Sequence, residues 1–165
     1  MRKFAASLGM AMLMFATAAC DGDGGAQRVV NPTPLATAGA SRSVSIQPSD
    51  VATEAVTPSS CPVLPPFVGS LSMNIETADF PLSLSLVRMT FTDSAGLQAP
   101  AVTLPAPVMT RQFGSTLVAA RSQRTFPLRF PFGCDTSRTG TLLVFVVIND
   151  PDGREITKEM RLPVR

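Results

Sequence analysis

The sequence predicts an all-β fold, a single antiparallel sandwich of about seven strands, and three observations carry that expectation. Leu142 to Ile148 is an unbroken apolar run rich in β-branched residues, bounded by Gly140 and by the turn cluster Asp150-Pro151-Asp152-Gly153, as a well-buried strand would be. The chain then alternates: Ile156, Met160, Leu162 and Val164 share one parity, with Lys158 the one charge among them, while Glu155, Thr157, Glu159 and Arg161 share the other. A buried strand, a short turn and an amphipathic strand make a hairpin on which the rest must pack. Finally, glycine and proline, 11 and 15 of 165 residues, punctuate short extended segments, and no stretch shows a helical period.

Taken in order, residues 1–19 have the three parts of a cleaved export leader: Arg2 and Lys3, then the apolar Phe4 to Phe15, then the small Thr17-Ala18-Ala19. The apolar part is shorter than the ~20 residues a membrane span requires. Residues 20–60 are mostly Ala, Thr, Ser, Pro and Gly. Such a stretch buries too little apolar area to offset its ordering entropy, which predicts a disordered tether. Val44 and Ile46 alternate with Ser43 and Ser45, leaving a short strand open there.

The folded domain is expected over residues 61–165. Leu71, Met73 and Ile75 alternate with Ser72, Asn74 and Glu76 in a first strand with one wet face. In the longer strand Phe80 to Thr92, Leu82, Leu84 and Leu86 share a parity and Val87, Met89 and Phe91 take the opposite one. That phase switch implies a β-bulge or a change of sheet. Thr92 to Gly96 reads as a turn. Pro100, Pro105 and Pro107 break the next region into short extended pieces, Val102–Leu104, Val108–Gln112 and Thr116–Ala120. From Arg124 to Phe132, phenylalanines and Leu128 alternate with Pro127, Arg129 and Pro131. Both prolines remove donors from the same edge, which places this strand at a sheet margin.

Ala18-Ala19-Cys20 resembles the end of a bacterial lipoprotein signal, with Thr17 in place of the usual leucine. The resemblance implies acylation of Cys20, permanent attachment to a membrane through the lipid, and residence in the cell envelope. Asp21 matches a residue that retains lipoproteins in the inner membrane of enteric bacteria, and inner versus outer membrane stays open. With Cys20 lipidated, Cys61 and Cys134 are left to form one disulfide, which would pin the entrance of the domain. A loop of 73 residues closed in this way stabilises by roughly 4 kcal/mol on the chain-entropy model. Residues 61–165 resemble a bacterial immunoglobulin-like domain in strand count, in the Asp-Ser-Ala-Gly and Asn-Asp-Pro-Asp-Gly turns, and in a cysteine near each end. The tryptophan and tyrosine familiar from that fold are absent, so phenylalanine must fill their volumes.

Chemistry is narrowed by what the composition lacks. Without Arg2 and Lys3 the chain carries twelve basic and twelve acidic residues, against the basic excess of a nucleic-acid binder. There is no histidine, the commonest general base and metal ligand. Gly114-Ser115-Thr116 does not complete a nucleophile elbow, and Glu155 and Glu159 fall on an exposed strand parity. Asp150 and Asp152 lack the further acidic ligands of a calcium loop and read as turn residues. No catalytic site, cofactor or metal is expected.

Two candidate contacts remain. Arg121, Arg124 and Arg129 lie in an arginine-rich stretch that could meet an anionic envelope glycan. Since Lys3 and Lys158 are the only lysines among fourteen basic residues, the simpler reading is that arginine is this chain's default charge. Both parities of the 142–148 run are apolar, yet a two-layer sandwich buries only one. Either the segment 98–120 folds back over Leu143, Phe145 and Val147, or these three meet an envelope protein or a second copy of the chain in a homodimer. The expected role is a non-enzymatic binding or structural module, with a polysaccharide-binding or enzyme-accessory domain as the alternative. The absence of tryptophan and tyrosine, on which sugars stack, weighs against the latter.

Overall fold

The structure, a computed structural model, describes residues 43–165; the expected leader, Cys20 and residues 20–42 of the expected tether lie outside the described residues. Nine strands and one helix follow in order: β1 (Val44–Pro48), β2 (Ala52–Ala55), β3 (Phe67–Thr77), β4 (Leu82–Asp93), β5 (Val102–Pro105), α1 (Ala106–Phe113), β6 (Leu117–Val118), β7 (Gln123–Phe132), β8 (Gly140–Asn149) and β9 (Glu155–Val164). They form two sheets in which every pairing is antiparallel.

Sheet I is built on β3. Strand β7 runs along one edge of it from Phe67↔Phe132 to Glu76↔Gln123. The other edge is shared by β1, against residues 73–77, and β2, against residues 67–70. Sheet II is built on β4, with β5 and β6 sharing one edge and β8 on the other, and β9 outermost. Among the described residues β7 pairs only with β3, so its prolines do sit at a sheet margin. Gly69 lies opposite Phe130, and a Cβ there would land inside the Phe130 ring; glycine is what lets the ring lie across the strand.

The core fills the space between the sheets. Leu71, Met73 and Ile75 of β3 and Phe126, Leu128, Phe130 and Phe132 of β7 face Val87, Met89 and Phe91 of β4 and Leu142, Val144, Val146 and Ile148 of β8, all at most 4% exposed. Phe91 and Phe132 lie 4.4 Å apart between ring centroids, and Phe130 stacks on Phe132 at 5.4 Å. Phenylalanine fills the centre, as the absence of tryptophan and tyrosine requires. The phase switch in β4 is a bulge: the register steps between Leu84↔Ile148 and Leu86↔Val147, and the extra residue, Ser85, donates its hydroxyl to Val147 O at 3.0 Å.

Three expectations are corrected. The ordered chain does not wait for Cys61, because β1 and β2 lie within the expected tether of 20–60. A segment this polar is held by the ladder it completes on the free edge of β3, with Val44, Ile46 and Val51 packed on the core rim. Residues 106–113 are helical rather than extended. Pro105 is the N-cap and Pro107 sits in the first turn, where backbone N–H groups have no helical partner to lose. Gly114 ends the helix at φ +79°, its N–H bonded to Thr110 O. The bulge falls at Ser85, one residue before the expected switch.

The hairpin turns after β4 and β8 share one design. Asp93 Oδ1 accepts from the N–H groups of Ala95 and Leu97, and Asp150 Oδ1 from those of Asp152 and Arg154, all at 2.9 Å. Each turn closes on a glycine at positive φ, Gly96 and Gly153.

Candidate functional site

The expected contact residues lie on the outer face of sheet II. Antiparallel register sets Arg88, Phe145 and Glu159 in one row across β4, β8 and β9. Thr90, Leu143 and Arg161 form the next row, and Leu86, Val147 and Thr157 the one on the other side. Leu143 and Phe145 are half-buried, and Val147 is 8% exposed. The segment 98–120 does not cover this face. Of it, Gln98 alone joins Arg88, Thr90, Leu143, Phe145 and Glu159 around a shallow depression of about 410 Å³. Strands β5 and β6 extend sheet II along the edge of β4, and α1 packs on the core: Met109 is fully buried, and the Phe113 ring meets Phe126 edge-on at 5.6 Å. Long polar stems therefore shade the apolar centre, with their heads in water. Arg161 and Glu159 pair at 3.5 Å, a solvent-exposed contact worth about 0–1 kcal/mol.

The three arginines are not brought together. Arg121, itself at φ +53°, reaches Asp79 Oδ1 through Nε at 3.2 Å and Nη2 at 3.1 Å. Arg124 donates to Phe113 O at 2.9 Å and Leu117 O at 3.1 Å and lies 5.3 Å over the Phe126 ring, so it holds the C-terminal end of α1. Arg129 stands 3.8 Å from Glu54 on the outer side of sheet I. Each has its own local partner, and no shared surface gathers them.

At one pole, Cys61 and Cys134 are joined, with Cα atoms 5.6 Å apart. The bond ties the loop between β2 and β3 to the loop between β7 and β8. With two strands preceding Cys61 it staples two internal loops rather than the domain entrance. Beside it lies a cavity of about 240 Å³ walled by Pro62, Val63, Pro100, Pro131, Phe132 and Thr136. Thr136 Oγ1 is buried without a hydrogen-bond partner among the described residues.

Close by, Ser137 N–H donates to Asp93 Oδ2 at 2.9 Å, linking the β4 turn to this pole. That bond, foremost, and those from Leu97 and Ala95 hold the Asp93 carboxyl below the usual carboxylate range, against the opposing pull of burial. Among the described residues, no group of three or more His, Cys, Asp or Glu is placed to hold a metal.

Sequence reasoning missed Arg88, the basic end of the central row, and the cross-loop role of Asp93. The first was legible only as a polar residue of one parity in β4. For the second, the Asp-x-x-Gly turn was the available signal, but Ser137 is 44 residues away.

No family model matches the chain, and no curated protein matches it. Solved structures do. The Northeast Structural Genomics Consortium target SoR45 aligns at a TM-score of 0.50 with 14% identity, over 72% of this chain and 86% of that one. A Bordetella pertussis target described as an ApaA protein aligns at a TM-score of 0.50 with 16% identity, over 74% of this chain and 96% of that one. At these identities the likeness is one of fold alone.

Proposed function

We propose that this chain is a cell-envelope lipoprotein that presents a non-enzymatic, immunoglobulin-like module at a membrane surface. The observation that carries the reading is the Cys61–Cys134 disulfide, since such bonds persist in oxidising compartments outside the cytoplasm. It agrees with the leader of residues 1–19 and with Ala18-Ala19-Cys20. The absence of histidine from the whole sequence supports a binding or structural role over catalysis.

Strand order supports the immunoglobulin-like part. Taking β1/β2 as one lateral position and β5/β6 as another, sheet I holds the first, second and fifth positions. Sheet II holds the fourth, third, sixth and seventh. Relative to the constant-type order, only the fourth strand changes sheets.

Intact mass of the mature protein isolated from its cells tests the reading. A chain beginning at Cys20 and carrying diacylglycerol and an acyl chain is expected. A mature chain with an unmodified Cys20 thiol, or with the leader retained, sinks it.

A further inference from the structure

Across β4, β8 and β9 the outer face of sheet II reads basic, apolar, acidic: Arg88, Phe145, Glu159. Residues directly opposite on antiparallel strands share a face, so this row is a physical line across the surface. Consider two such faces packed together about a two-fold axis parallel to the strands. That operation reverses order across the strands and preserves position along them. Arg88 of one copy then stands over Glu159 of the other, twice, and Phe145 stands over Phe145. A two-fold axis perpendicular to the strands would set Arg88 over Arg88 and Glu159 over Glu159. One of the two face-to-face arrangements is thus selected by charge.

We propose that this face is the interface of a homodimer of the chain, with Phe145 on Phe145 at its centre and Arg88 of each copy paired to Glu159 of the other. Arg88 is exposed and makes no ion pair among the described residues. Glu159 meets Arg161 through Oε1, which leaves Oε2 for a second cation. The three overlapping strands, about 4.8 Å apart and with ten residues rising about 3.3 Å each, give roughly 480 Å² per copy. That is the size of a weak, transient association, in which charge pairing selects the arrangement. Facing sheets whose strands run nearly parallel are an ordinary packing for twisted sheets. The same axis keeps strand direction alike, so both chains enter β1 at the same pole, as two copies anchored on one membrane require. That last consequence alone rests on the lipoprotein reading.

Sedimentation velocity of the full chain over a concentration series tests the dimer by charge exchange. The unaltered chain should pass from monomer to dimer. Arg88→Glu and Glu159→Arg should each weaken association by about tenfold or more. An equimolar mixture of the two variants should restore it, and so should the double variant R88E/E159R, because both contacts become complementary again. Circular dichroism melting should show every variant folded, since these side chains are exposed. An unaltered chain that stays monomeric up to about 1 mM overturns the proposal. Single reversals that associate as well as the unaltered chain, or a mixture and a double variant that fail to recover, also overturn it. Restoration by charge exchange together with an unacylated Cys20 would remove the anchor and keep the dimer.

Discussion

Strand β8 carries one apolar run with two faces, and the two are buried differently. Leu142, Val144, Val146 and Ile148 point toward sheet I and are at most 1% exposed. Leu143 and Phe145 point the other way and stay half-buried. Their own chemistry does not separate them; their neighbours on the flanking strands do. The inner set lies between Leu84, Val87, Met89 and Phe91 on β4 and Ile156, Met160 and Leu162 on β9, with Lys158, opposite Val146, the one charge on that side and itself exposed. The outer set lies between Arg88 and Thr90 on one side and Glu159 and Arg161 on the other. Val147 is the instructive exception. It shares the outer parity, yet the bulge at Ser85 brings Leu86 opposite it, and it is 8% exposed.

If the inner face holds the fold, removing a ring there should have the largest effect. Phe130→Ala, which empties a site against Phe91 and Phe132, should cost about 3–5 kcal/mol in urea unfolding. Adding one methyl should also be felt. Gly69→Ala drives its Cβ into the Phe130 ring and should cost about 1–3 kcal/mol, whereas Gly153→Ala, with open space around it, should suffer only the backbone strain of its positive φ.

The inner parity of β4 ends on a charge, which sharpens the comparison through pH. Asp93 has a folded pKa below its unfolded value of about 3.9, so its contribution is fully present above that value and is lost as pH falls through the folded one. Asp93→Asn should lower the melting temperature at pH 7, since the amide keeps one acceptor where Ala95, Leu97 and Ser137 present three donors. The gap from the unaltered protein should close as pH drops below about 4. A gap that stays constant down to acid pH would show that the carboxylate charge contributes nothing.

Much of this was legible in the sequence, for a local reason. The β8–β9 hairpin, the parity of Leu71, Met73 and Ile75, the marginal position of the proline-bearing strand and both Asp-x-x-Gly turns depend on spacings of a few residues. The bulge was legible as a phase switch, though its residue was not. What could not be read depends on partners far along the chain. Residues 44–55 are too polar to announce strands and are ordered by the free edge of β3. Pro105 and Pro107 suggest a break, and only the burial of Met109 between the sheets makes them the start of a helix. The row Arg88, Phe145, Glu159 spans 71 positions of sequence and exists only once β4, β8 and β9 are in register.

On the outer face the smallest stability effect is expected. Leu143→Ala should cost about 1 kcal/mol or less, because half-burial forfeits only part of a leucine's transfer energy. Adjacent residues of β8 have different roles, and Val146→Ser beside Phe145→Ser measures that directly. Each variant is unfolded in urea at a concentration well below association and sedimented at a concentration well above it. Val146→Ser should lose several kcal/mol of stability; Phe145→Ser should lose about 1 kcal/mol and no longer associate. A Phe145→Ser chain that unfolds as early as Val146→Ser, or that still forms dimers, would contradict the account.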